Sequence, residues 1–148
     1  MRRHFQFGIS TILLLTLLTA LLAARHQPRE IKADITLVSV STDEPEGVCR
    51  ITNRGRNAIF YTGYALDQPF ISVDERSPGM SWKTIGIGFC GTGAALHKLP
   101  AGKSADFPIW WRTETADQVR VKITCLDRNH YEANRRDITS APIHIVER

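Results

Sequence analysis

Val119-Arg-Val-Lys-Ile-Thr-Cys125 alternates apolar and polar side chains without a break. Period two places Val119, Val121, Ile123 and Cys125 on one face of an extended strand, and Arg120, Lys122 and Thr124 on the other. Upstream the same period recurs. Residues 47–53 put Cys49 and Ile51 on one side and Arg50 and Thr52 on the other, while Ile35, Leu37 and Ser39 alternate with Val38 and Val40. Residues 58–64, 69–74, 82–89 and 142–146 read as further strands, rich in aromatic and β-branched side chains. Residues 105–111 form another, with Pro108 suited to an edge where its missing N–H needs no partner.

Turn chemistry separates these runs at residues 53–57, at Ser77-Pro78-Gly79 and at Leu99-Pro-Ala-Gly102. Residues 92–99 leave room for one helical turn. Seven or eight short strands, with no amphipathic helix after residue 32, predict an all-β antiparallel sandwich. An immunoglobulin-like or fibronectin-like arrangement is its leading form.

The N-terminus reads differently. Residues 1–4 are a short basic leader with Arg2 and Arg3, and residues 5–24 contain no charge. Twenty helical residues span about 30 Å, the thickness of a bilayer's hydrocarbon core. Residues 5–24 are therefore expected to form a transmembrane signal-anchor helix in contact with the lipid bilayer. Cleavage near Ala24, which would release a secreted domain, fits less well, because Leu22 occupies the −3 position where a small residue is wanted. Residues 25–33, polar and carrying Pro28, read as a linker, leaving 34–148 as a single sandwich domain on the extracytoplasmic side. Such a chain is a single-pass membrane protein.

Net charge is +4 over 148 residues, from 19 Lys and Arg against 15 Asp and Glu. The excess precedes residue 34; from Asp34 to Arg148, 14 basic residues face 14 acidic ones. That distribution excludes a uniformly basic nucleic-acid-binding domain, and no nucleic-acid partner is expected.

The cysteines are Cys49, Cys90 and Cys125. Cys49 and Cys125 share the apolar faces of their strands and form a candidate inter-sheet disulfide; two buried free thiols are the alternative. Gly86-Ile-Gly-Phe-Cys-Gly91 spells G-x-G-x-x-G, but Pro100 forbids the long helix a dinucleotide site requires, so no cofactor is expected. No histidine falls in a metal-binding spacing, and no metal site is expected. His144 alternates with Ile143 and Ile145 and should face solvent. No catalytic motif is present, so the chain is read as a non-enzyme. The alternative is an accessory enzyme domain with its active site near Cys90 and His97. Of the adjacent Trp110 and Trp111, one must point outward, as a contact surface or at the membrane interface. The stretch 127–137 is long for a hairpin connection and carries Arg128, His130, Tyr131, Arg135 and Arg136, a candidate surface contact for a protein or cell-envelope partner.

Several pieces together resemble small uncharacterised bacterial proteins with one signal-anchor helix and a short immunoglobulin-like sandwich. They are Arg2-Arg-His-Phe-Gln-Phe7 with the Leu-rich run, Cys90-Gly-Thr-Gly93, residues 99–107, Val119-Arg-Val121 and Ser140-Ala-Pro-Ile143. The resemblance implies an architecture and no catalytic residue. The expected role is a membrane-anchored binding or interaction module.

Overall fold

The computed structural model describes residues 9–26, 28–41, 46–85, 92–111, 116–129 and 133–145. In chain order the elements are α1 (Ile9–His26), β1 (Ala33–Val40), β2 (Glu46–Asn53), β3 (Ile59–Ala65), β4 (Gln68–Pro69), β5 (Ser72–Arg76), β6 (Lys83–Thr84), β7 (Ala95–Leu99), β8 (Ser104–Trp110), β9 (Gln118–Leu126), β10 (Arg135–Thr139) and β11 (Ile143–His144). β1, β2 and β8 form one antiparallel sheet. A larger antiparallel sheet is organised on β9, which pairs with β3, β5, β10 and β11; β4 and β7 join through β3, and β6 through β5.

The alternation of β9 explains its central place. Val119, Val121, Ile123 and Cys125 are all buried, so this strand contributes four apolar side chains to one face. The smaller sheet answers with Cys49, Ile51, Phe107 and Ile109, and the two sheets close over one core that also holds Tyr61 and Leu99. Pro108 lies on β8, at the edge of its sheet. Trp111 is buried, whereas Trp110 is 57% exposed.

Four segments depart from the sequence reading. Residues 95–99 are strand rather than a helical turn, because pairing with β3 buries Leu99 against the core. The run 69–74 divides into β4 and β5, with Gly63 at the close approach of β3 to β4: a Cβ there would sit 2.9 Å from Pro69 Cα. The strand expected over 82–89 is only Lys83–Thr84 among the described residues. The long 127–137 connection is shortened by β10, which zips onto β9 from Arg135↔Leu126 to Thr139↔Lys122. Ser140 continues that contact, its amide donating to the Val121 carbonyl (2.8 Å) and its Oγ accepting from the Val121 amide (2.9 Å).

The expected linker is also not a free tether. Ile31 is 2% exposed and belongs to the core, the Arg29 amide donates to Asp127 Oδ2 at 2.8 Å, and the Arg54 amide donates to the Lys32 carbonyl at 2.8 Å. One apolar residue in a polar stretch is too little signal for periodicity, yet burying it contributes about 2 kcal/mol. The folded unit therefore starts close behind α1.

Among the described residues, no helix is long and apolar enough to cross a membrane. α1 has 18 residues, and Thr16 and Thr19 return their hydroxyl hydrogen bonds to its own carbonyls. Residues 5–8 of the expected span lie outside the described residues.

Candidate functional site

The residues expected to form a contact surface have separate fates. Arg128 folds back on its neighbour, its Nε and Nη2 donating to the two Asp127 oxygens at 3.1 Å. Arg136 faces the N-terminal segment and donates to the Ile31 carbonyl at 3.1 Å. His130 and Tyr131 lie outside the described residues, as does Cys90. Arg135, paired with Leu126 on the outer face of the larger sheet, is exposed.

Asp127 is the reason for this division. Its side chain is fully buried, and it accepts from the amides of Arg29 (2.8 Å) and Asn134 (2.9 Å) as well as from Arg128. Burial pushes its carboxyl up, but these hydrogen bonds and the Arg128 charge more than offset that and hold it below the usual carboxylate range. Asp127 and Arg136 thus lock the N-terminal segment to the end of β9, a structural task for residues that sequence reasoning placed on a binding loop.

Arg135 instead lines a groove of about 330 Å³ on the outer face, with Lys122, Thr62, Ser72, Thr124, Phe70 and Leu126. Its origin is topological. β3 pairs with β9 only at Phe60 and Tyr61; beyond them the same edge of β3 pairs with β4, while β7 lines its other edge from Ile59 to Gly63. Thr62 and Phe70 consequently stand away from Lys122 and Thr124, and the sheet opens between them. Phe70 is held by Tyr64 edge to face, centroids 5.1 Å apart. Two cations, three hydroxyls and an apolar floor thus share one concavity of the size that takes a small ligand.

Beside the groove, Asp74 is buried and its two oxygens accept from Thr84 Oγ1 (2.6 Å) and Arg120 Nε (2.8 Å). Burial raises its carboxyl, and the Thr84 and Arg120 hydrogen bonds overcome that to hold it low. A carboxylate so held is not poised to take a proton near neutral pH. Arg120 and Arg76 lie against the Trp82 ring, 4.5 and 4.9 Å from its centroid, and Arg76 also donates to Gln118. This is a cross-strand brace that stiffens the face without supplying a reactive group.

His97, offered with Cys90 as the alternative active site, lies on β7 and donates from Nε2 to the Gly63 carbonyl at 3.1 Å. His144 is exposed, its ring 3.3 Å from the Gln118 amide nitrogen. No group of three or more His, Cys, Asp or Glu among the described residues could hold a metal ion.

Cys49 and Cys125 are buried free thiols rather than a disulfide. They are accommodated as small apolar groups in the core, Cys49 opposite Phe107 and Cys125 opposite Tyr61 in strand register. Burial pushes both thiols up to about 12, leaving no thiolate for nucleophilic chemistry at neutral pH. Their ordinary value of 9.0 returns on unfolding. The folded chain therefore holds more protons between pH 9.0 and about 12, and stability present below pH 9.0 is lost as pH rises through that window. Both thiols are expected to resist alkylation in the folded protein at pH 8 and to react after unfolding in guanidinium; equal rates in the two states would refute their burial.

No protein-family model matches the chain, and no curated protein matches its sequence. Among solved structures, it is similar to a crystal structure described as an ApaA protein from Bordetella pertussis, at 14% identity with a TM-score of 0.48. That alignment covers 79% of this chain and 93% of the other. It is also similar to the structural-genomics target SoR45, at 10% identity and a TM-score of 0.48, over 79% of this chain and 86% of that one. Neither likeness bears on function.

Proposed function

We propose that the chain is a single-pass, membrane-anchored protein whose extracytoplasmic domain, an immunoglobulin-like or fibronectin-like sandwich, is a binding module for a small anion-bearing ligand. The groove carries this reading. Lys122 and Arg135 both line it without being needed for the core, and the hydroxyls of Thr62 and Ser72 can orient a phosphate or carboxylate between them, while the Thr124 hydroxyl donates to Asp137 at 2.7 Å. Anchoring is supported by α1, whose leucines at positions 13, 14, 15, 17, 18, 21 and 22 are all exposed. Its 18 residues reach about 27 Å, and the uncharged sequence continues upstream to Phe5. A soluble helix would hide such a surface.

Glycerol phosphate and glucuronate are suitable probes for the two anion classes. Titrating the full chain in detergent should shift the Ser72 and Thr124 amide resonances saturably. The Lys122→Glu/Arg135→Glu pair should weaken binding at least tenfold, since each charge-assisted hydrogen bond contributes about 1.5–3 kcal/mol. Shifts confined to other regions, or affinity indifferent to the pair, would remove the groove from this reading. Fractionation with protease protection of spheroplasts tests the location; a chain recovered wholly in the soluble cytoplasm would sink it.

A further inference from the structure

The neutral composition of residues 34–148 conceals a separation of charge along the sandwich. β1 runs from Ala33 to Val40, β2 pairs with it and β8 with β2, so that Ala33, Asn53 and Ser104 lie at one end and Val40, Glu46 and Trp110 at the other. Six register steps separate Ser104 from Trp110, about 20 Å. The turns around residues 53–58 and 100–103, the loop after β9 and the segment 28–32 all meet at the first end. Asn53 ties the first two of these together, donating to the Leu99 and Asn57 carbonyls and taking the Gly102 amide on its own carbonyl.

At that end the described residues 28–34, 53–58, 100–103, 127–129 and 133–136 carry eight basic side chains against the acids Glu30, Asp34 and Asp127, a net +5. The three acids are already engaged, with Lys32, Arg54 and Arg128 respectively. Arg29, Arg56, Lys103 and Arg135 are exposed beside them. Among the described residues, the opposite end, with Glu46, Asp67, Glu75 and Asp117 against Arg76 and Lys83, is net −2.

The chain leaves toward α1 from the basic end, because Arg29 and Ile31 are held there by Asp127 and Arg136. We infer that this end is a lipid-docking face: with α1 in a bilayer, the basic turns rest on anionic headgroups and the acidic end, with exposed Trp110, points away. This inference rests on the membrane anchoring proposed above. Only Gln27 and Pro28 lie in sequence between α1 and Arg29, whose amide the domain holds, so the basic end stays within a few residues of the anchor. Each basic residue near an anionic surface strengthens association about fivefold, an effect that acts within a Debye length and fades with salt.

The full chain in nanodiscs of phosphatidylcholine, with or without 30% phosphatidylglycerol, tests the face by amide exchange. Residues 53–57 and 101–103 should exchange several-fold more slowly only in the anionic discs. That protection should vanish at 1 M salt and in Arg56→Glu/Lys103→Glu, while β9 amides stay protected and certify folding. Equal exchange in both lipids, or protection that survives the double variant, overturns the docking face and leaves anchoring intact. A chain that does not enter discs overturns anchoring instead. The face is then read by cosedimentation with phosphatidylglycerol vesicles, where loss of binding in the double variant supports it and binding unaffected by the variant overturns it.

Discussion

Asp127→Ala is expected to destabilise the domain by about 3–5 kcal/mol, the cost of removing one partner from a buried ion pair. Calorimetry should register a fall in Tm of more than about 10 °C. The substitution strands the Arg29 and Asn134 amides and removes the carboxylate partner of the Arg128 guanidinium, whose side chain is only 17% exposed. It also unfastens the N-terminal segment, so amides 29–32 should lose exchange protection before the β-sheet does. Arg128→Ala should cost less, because the Arg29 and Asn134 amides still donate to the carboxylate, although the buried charge loses its counterion. An Asp127→Ala protein melting within about 2 °C of the parent would show that Arg136 and Ile31 hold the segment unaided.

Acid should act through the same carboxylate. Asp127 and Asp74 are both held below the usual range when folded. Their contribution is complete above the unfolded value of about 3.9 and is lost as pH falls below about 4 toward the folded value.

Phe107→Ala is expected to cost a further large amount, about 3–5 kcal/mol, as a transfer loss plus an unfilled cavity. Phe107 is 1% exposed at the centre of β8, opposite Cys49 in register. Emptying that volume should also admit alkylating reagents to Cys49, so thiol reactivity rises in the folded state as Tm falls. Phe107→Leu keeps most of the volume and should cost about 1–1.5 kcal/mol. A Phe107→Ala protein with unchanged Tm and an inert Cys49 would show that the core collapses fully around the gap.

How much could be read in advance depended on the range of each signal. The strand of Val119–Cys125 and the opposed faces of Trp110 and Trp111 follow from period two, a property of consecutive residues. β7 and β10 were missed because their stability comes from partners, β3 for Leu99 and β9 for Ile138, that lie far off in sequence. The arginines of the 127–136 stretch looked equivalent, but one braces Asp127, one fastens Ile31 and one lines the groove. Which does which depends on side-chain direction after the strand has paired. The groove itself left no local mark, because it arises where β3 abandons β9.

By itself the sequence determined the strand class, the apolar N-terminal run and a charge count of 14 against 14 from Asp34 onward. Only the tertiary structure decided where those charges stand. An antiparallel fold sends successive turns to opposite ends, so Arg29, Arg56, Lys103 and Arg135, scattered over more than a hundred positions, become neighbours at one end. A domain balanced in composition from Asp34 onward is thereby polarised in space.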